Sequence, residues 1–333
     1  MNHRYQPQSR HDIARLRNTA NSWLVAQAAE AYNETMFEEA QLYAPVTQDG
    51  DRVRVHLADD HPGAHDPEYR RRRDEIAAAA LAWSPGEPVP RIAYGEPEHE
   101  VWRTVCRALA PKHERLACRA FRTAKAALAL PEDRVPQLDE VSAGLRPLTG
   151  FTYRPAAGLV PLDEFYGSLA DRVFHSTQYI RHPSAPLYTP EPDLVHEVIG
   201  HGNLLADPTI AEVKRLAGEA ARRCETPEGL QFVADVFWFT IEFGVLWEEG
   251  ELRCYGAGLL SSFGEIEEFR AAEIRPLDFA AMGTLDYDIT HYQPVLFACD
   301  GMGELEEAVG GFFAGFDDDV PARLTRAGAG ARV

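Results

Sequence analysis

Along residues 66–83 the apolar positions recur at helical spacing, and the proline- and glycine-rich run SPGEPVPRIAYGEPE at 84–98 then breaks the pattern, as a surface connection does. Two further helical stretches follow, about 98–110 and 112–129; PEDRVP interrupts at 131–136, and a helix resumes near 137–145. Residues 11–42 also read as helix, in a polar setting that leaves their link to the rest open. Strands are few and short: Phe151 to Pro155 after the turn at Gly150, then 251–255 and 294–298. The proline cluster RHPSAPLYTPEPD at 181–193 cannot be regular structure. The stretch Val236 to Trp247 is apolar on all sides and reads as a buried helix. The pattern predicts a mainly α protein with small β elements.

Length and charge narrow this picture. A chain of 333 residues accommodates one large domain with an extension, or two domains. With 45% hydrophobic and 26% charged residues the composition is that of a soluble globular protein. A net charge of −19 argues against nucleic acid or anionic membrane as a partner, since phosphate binding needs a clustered positive field. The run Arg70, Arg71, Arg72, Arg73 is flanked by Asp66, Glu68, Asp74 and Glu75 and reads as a solvated helix face. The five cysteines are far apart, odd in number and include no C-x-x-C pair, which argues against a disulfide framework or a Cys-type zinc site and fits a reducing cytoplasm. The polar N-terminus is not a secretory signal, and Val236 to Trp247 is too short to span a bilayer and contains Glu242. A cytoplasmic location is expected.

The chemistry concentrates in PDLVHEVIGHGNLLADP at 192–208. Pro192 and Asp193 mark a helix start and Gly200 a stop, with His196 inside the helix and His201 at its end. A zinc peptidase needs H-E-x-x-H, two His at i and i+4 with the Glu as base; here Gly200 occupies the i+4 position. On an ideal helix a five-residue spacing sets the imidazoles roughly 140° apart, so they converge on one metal only if the helix ends or distorts between them. Downstream, Glu242 is the only ionisable group in VFWFTIEFGVLW, and a buried carboxylate must pair with a cation or bind a metal. A buried salt bridge to an arginine is the alternative. Two His and one carboxylate together make the facial triad of non-heme Fe(II) oxygenases.

The chain resembles the tetrahydropterin-dependent aromatic amino acid hydroxylases. The resemblance runs from DHPGAHDPEYRRRRDEIA at 60–77 through VPRIAY at 89–94, RVFHSTQYIRH at 172–182, LYTPEPDLVHEVIGH at 187–201, FWFTIEFG at 237–244 and YGAGLLSSFGE at 255–265 to YQPVLFACDG at 292–301. It implies that family's catalytic-domain fold over about 60–315, with 1–59 as an N-terminal extension and 316–333 as a C-terminal tail. The regulatory domain and tetramerisation helix of the animal members have no counterpart, as in the compact bacterial phenylalanine hydroxylases.

The resemblance implies Fe(II) held by His196, His201 and Glu242, with a tetrahydropterin as second cofactor. Phe165 would stack on the pterin, with His175 beside it; Glu197 would reach pterin and iron-bound water; Gly158, Val160 and Ala234 would line the site. Read alone, Phe165 is core and His175 a satisfied core histidine. For the amino acid the matching positions are Arg181 with Asp193, Tyr188, Thr189, Pro192, Trp238, Phe243, Gly258, Ser261 and Ile289. An arginine fork suits a carboxylate. Asp193 read alone is a helix N-cap, and Trp238 is core packing.

This sequence also departs from the family pattern. Gly202-Asn203 stands where a Val-Pro pair is usual, Phe237 where many members have Tyr, and Leu162 and Tyr166 depart from the usual pterin loop. Trp238 is shared with phenylalanine and tyrosine types and argues against an indole substrate, whereas Ile289 stands where tyrosine types carry Asp, phenylalanine types Val and tryptophan types Ile. The joint expectation is a monooxygenase that takes L-phenylalanine and O2 and hydroxylates the para carbon to give L-tyrosine. The alternatives are meta hydroxylation, tryptophan 5-hydroxylation and, from another class, a zinc hydrolase using Glu197 or a binding protein that has lost catalysis.

Overall fold

A computed structural model describes residues 44–50, 52–158, 160–288 and 291–330, so the helix expected at 11–42 and the candidate Ile289 lie outside the described residues. Helix α1 (Pro67–Ala82) begins where the Asp66 carboxylate accepts the N–H groups of Glu68 and Tyr69, with Pro67 at its first position. The hairpin β1 (Val46–Asp49) and β2 (Arg52–Val55) is antiparallel, and the Val55 N–H donates to Asp74 Oδ1 on α1 at 2.7 Å. The two helical stretches expected around 98–129 divide differently. Helix α2 (Glu96–Leu116) runs through Pro111, and α3 (Arg119–Leu128) starts after Cys118, whose sulfur accepts the Phe121 N–H.

Helix α4 (Leu138–Thr149) stops at Gly150, whose φ of 81° is open to glycine, and the chain turns into β3 (Thr152–Pro155). Helix α5 (Leu162–Leu169) then carries it back to β4 (Val173–Ser176), parallel to β3. After the proline-rich stretch, His196–Gly202 forms a π-helical turn, followed by α6 (Pro208–Arg223), α7 (Pro227–Phe237) and a second π-helical turn at Trp238–Glu242. Next come β5 (Val245–Glu248), β6 (Glu251–Cys254), α8 (Ala257–Ser261), β7 (Glu273–Pro276) and β8 (Val295–Cys299); the sheet order is β6-β5-β8-β7.

Three expectations are corrected. The stretch 236–247 is not one helix: it ends at Glu242 and re-emerges as β5. The chain reverses at Gly244, where a Cβ would stand 2.2 Å from Thr240 O and from the Tyr255 ring. The helix carrying His196 does not stop at Gly200 but continues through it. The arginine run is not wholly a solvated face, because Arg73 points inward and is 4% exposed. The mainly helical class stands, and the core joins Trp102, Phe121, Phe174, Phe237 and Phe297. All five cysteines are free thiols, and among the described residues no helix is long and apolar enough to cross a membrane.

Arg73 matters because of what it holds. Its Nη1 donates to Glu191 Oε1 at 2.5 Å, and its guanidinium carbon lies 3.3 Å from the centre of the Tyr179 ring. Burial pushes the Glu191 carboxyl up, but the Arg73 charge overrides this and holds it below its usual value. Tyr69 on the same helix donates to Ile180 O at 3.1 Å. An irregular segment with few backbone hydrogen bonds of its own is thus fixed by helix α1. Glu191→Ala should lower unfolding free energy by about 3–5 kcal/mol in urea titration, because it strands a buried guanidinium. Arg71→Ala, at an exposed position of the same helix, should change it by about 0.5 kcal/mol or less. Since the folded-state pKa of Glu191 is depressed, the pair's contribution is present above the unfolded pKa and lost as pH falls through the folded one, so the Glu191→Ala penalty should shrink on acidification.

Candidate active site

His196 and His201 are five residues apart, and the i→i+5 register of the π-helical turn brings that spacing round to one side. Gly200 lets the turn lie against α8: a Cβ there would stand 2.7 Å from Ala257 O. Glu242 ends the second π-helical turn, which closes with the Phe243 N–H donating to Trp238 O at 2.9 Å. The two imidazole Nε2 atoms are 3.1 Å apart, and Glu242 places its oxygens 2.9 Å from His201 Nε2 and 3.7 Å from His196 Nε2. Donor atoms about 2.1 Å from one ion stand about 3.0 Å apart at a right angle and about 3.4 Å apart at the tetrahedral angle. The two shorter separations fit a facial triad. No arginine pairs with Glu242 among the described ion pairs, so the salt-bridge alternative does not hold.

The groups behind the ligands fix their protons. Ser261 Oγ–H donates to Ala257 O at 2.8 Å, so its lone pair receives His196 Nδ1–H at 2.9 Å and leaves Nε2 bare. Behind His201, Lys214 Nζ is 2.8 Å from Nδ1, and Lys214 is 0% exposed. Burial lowers the Lys214 pKa to about 7 against the opposing pull of Glu242 and Glu197. In its neutral form the amine accepts His201 Nδ1–H, which frees Nε2 for a metal. Burial pushes His196 down to about 4 and His201 well below its usual value, so both rings are neutral and able to ligate near pH 7. Glu197 goes the other way: burial, then the carboxylates of Glu242 and Asp193, push it well above its usual value.

The remaining candidates are each held by neighbours of their own. Phe165, half-buried on α5, is held by Tyr166 and Phe174. His175 on β4 is buried, its Nδ1 3.3 Å from Ser168 Oγ, and burial pushes its pKa down to about 4. Gly158 and Val160 are half-buried between β3 and α5, and Ala234 is buried on α7. Arg181 Nε and Nη2 donate to Asp193 at 2.9 and 2.7 Å, and Asp193 also accepts the His196 N–H at 3.3 Å, so it acts both as clamp and as cap. Thr189 has a buried hydroxyl with no hydrogen-bond partner among the described residues, while Tyr188 and Pro192 are exposed. Trp238 lies 4.6 Å from Phe243 and stacks on Tyr287 at 4.5 Å. Gly258 on α8 lies against the Phe243 ring, and the Ser261 hydroxyl faces His196. Sequence reasoning missed Lys214 and Gln293. For Lys214 a signal existed: it shares the apolar stripe of α6 with Ile210, Ala217 and Ala221.

The fold and the two-His, one-carboxylate cluster define a mononuclear metal centre of the non-heme iron oxygenase class. The chain belongs to the biopterin-dependent aromatic amino acid hydroxylase family, which matches residues 46–323. It is 50% identical over 264 residues to the phenylalanine 3-hydroxylase of Streptomyces coeruleorubidus, covering 79% of this chain and 95% of that protein. It is 40% identical over 261 residues to the phenylalanine-4-hydroxylase of Bos taurus, covering 77% of this chain and 58% of that longer protein. It superposes with a TM-score of 0.65 and 26% identity on the Chromobacterium violaceum phenylalanine hydroxylase, solved with iron(III) and oxidized 7,8-dihydrobiopterin; the match covers 77% of this chain and 93% of that one. Iron and a biopterin are therefore its cofactors, and its chemistry is aromatic amino acid hydroxylation. The zinc-hydrolase alternative falls.

Lys214→Met removes the partner of His201 while filling the space with an apolar chain of similar length. Affinity for Co(II), measured by titration of the metal-free chain, should fall about 10- to 100-fold. Thermal stability should fall by about 1–3 kcal/mol, because His201 Nδ1 stays buried without its hydrogen-bond partner. Unchanged Co(II) affinity would show that Lys214 does not orient the ligand.

Proposed function

We propose that the chain hydroxylates the ring of L-phenylalanine at the meta carbon, giving 3-hydroxyphenylalanine. The observation that carries this reading is the 50% identity to a phenylalanine 3-hydroxylase across 95% of that protein's length. Para hydroxylation to L-tyrosine, the expectation from the sequence, is the second reading and is favoured by the 40% identity to a phenylalanine-4-hydroxylase. In either case Trp238 argues against tryptophan and Ile289 against tyrosine, although Ile289 alone matches the tryptophan types. The catalytic unit is taken as 60–315, with 1–59 as an extension and 316–333 as a tail; every candidate site residue falls inside it.

In this reading His196, His201 and Glu242 hold the iron. Phe165, His175 and Glu197, with Gly158, Val160 and Ala234, hold the pterin. When bound, the iron and reduced pterin supply the electrons that activate O2. The protein's own part is to bind, orient and exclude water. Asp193 occupies Nε and Nη2 of Arg181, so the amino acid carboxylate meets the remaining Nη1 and is presented with Thr189 beside it. Trp238 and Phe243 make an aromatic wall on the turn that carries Glu242, and Gly258 leaves room against the Phe243 ring. Glu197, its carboxyl biased toward the protonated form, holds a proton next to the triad.

Competition among equimolar phenylalanine, tyrosine and tryptophan with Fe(II), tetrahydropterin and O2 tests the reading, with products separated against authentic meta-tyrosine, para-tyrosine and 5-hydroxytryptophan. Meta-tyrosine should dominate. Mainly para-tyrosine would establish the second reading, and mainly 5-hydroxytryptophan would remove Trp238 as a gate. Arg181→Lys keeps the charge but loses the planar fork. Steady-state kinetics should show substrate affinity weakened by about 1.5–3 kcal/mol, with iron content unchanged.

A further inference from the structure

The turn that ends in Glu242 begins with Trp238. The plane of that indole is set on two sides by rings, Phe243 at 4.6 Å and Tyr287 at 4.5 Å with 13° between the planes. Its one polar atom is held separately: Nε1–H donates to Gln293 Oε1 at 3.2 Å. Gln293 is 5% exposed and its side-chain amide is fully used, because Nε2 donates to Asp288 O at 2.9 Å and to His291 O at 3.1 Å. Both of those carbonyls can only accept, so the amide nitrogen must face them and the amide oxygen must face the indole. The Gln293 backbone N–H donates in turn to the buried Glu265 Oε1 at 2.8 Å, which fixes the base of the side chain.

One amide therefore ties together pieces of chain far apart in sequence: the turn bearing a metal ligand, and the backbone carbonyls of Asp288 and His291. We infer that Gln293 is a positioning residue for ring hydroxylation, setting the indole plane of Trp238 and its distance from the Asp288 and His291 carbonyls, and thereby which ring carbon of the bound aromatic amino acid is presented to the metal. The argument is one of stiffness. An indole held only by ring contacts can slide and tilt at little cost, whereas a half-buried indole whose N–H is bound to a buried, fully engaged amide gives up a hydrogen bond when it tilts away. Carbons at neighbouring ring positions differ in placement by little more than a bond length, so a small tilt of the wall suffices to change which one is presented. The inference rests on the reading that Trp238 lines the amino acid pocket.

Gln293→Leu tests it, made in the unaltered chain and in Trp238→Phe, whose ring has no N–H. In the unaltered background the ratio of major to minor ring-hydroxylated products should fall about two- to tenfold, as the loss of one hydrogen bond allows. The indole N–H resonance of Trp238 in the metal-free chain, assigned by its absence from Trp238→Phe, should move upfield. Co(II) affinity should stay within about twofold, which separates positioning from damage to the triad. In Trp238→Phe, adding Gln293→Leu should leave the product ratio where Trp238→Phe alone puts it. Should Gln293→Leu fail to fold, Gln293→Met, closer in length and flexibility, carries the same measurements. An unchanged product ratio in Gln293→Leu, or an equal change in both backgrounds, overturns the role of Gln293. If Trp238→Phe alone alters neither KM nor product ratio, the pocket reading fails, and the inference fails with it.

Discussion

The arrangement depends on one backbone constraint, the i→i+5 register of the two turns that carry the metal ligands. In an α-helix, residues five apart diverge, and a residue four apart is the natural partner. Widening the turn at His196–Gly202 puts both imidazoles on one side, and a second widened turn at Trp238–Glu242 turns the carboxylate to meet them. Each widened turn is secured by packing. The first lies on α8 at Gly200, and the second reverses at Gly244 against Tyr255, positions at which any Cβ would collide.

Burial then does chemical work. Bringing three ligands into an apolar interior costs solvation, and the cost falls on the charged forms: both histidines are held neutral and Glu197 is biased toward its acid form. The same desolvation that disfavours a charged Lys214 lets the neutral amine accept from His201, as the Ser261 hydroxyl accepts from His196. The carboxylates of Glu242 and Asp193 meet this cost in different ways. Asp193 takes a buried guanidinium and a backbone N–H, while Glu242 keeps its oxygens on the imidazoles. A bound dication would complete the second arrangement electrostatically, since it supplies the opposite charge that the protein itself leaves out.

Around the centre, irregular chain is held by regular chain. The proline-rich stretch that delivers Arg181, Thr189 and Asp193 has few backbone hydrogen bonds of its own, and α1 fixes it through Arg73, Tyr69 and the Tyr179 ring. On the opposite side, Gln293 and Glu265 tie the aromatic wall to the stretch before β8. Loops that carry binding groups thus rest on helices and buried pairs, which is how a site can be specific without being built on strands or helices alone.

Much of this was legible in the chain itself. The helical class, the strands near 151–155, 251–255 and 294–298, and the ligand set were readable because spacing, apolar runs and a stranded carboxylate are local features. The breakdown of the stretch 236–247 was not readable, because the close approach that Gly244 accommodates there is made by Tyr255, from beyond the stretch. The inward turn of Arg73 was not either: its partner Glu191 lies 118 residues away, and four consecutive arginines among acids look alike until one finds a buried carboxylate. Ser261 and His196 are 65 residues apart, and Trp238 and Gln293 are 55 apart. The sequence by itself determined which side chains were available to bind a metal, a ring and a carboxylate, because those are properties of residue type and near spacing. Tertiary structure alone decided which lone pair each histidine presents and which way the indole faces, because protons and ring planes are set by partners that only folding brings within hydrogen-bond reach.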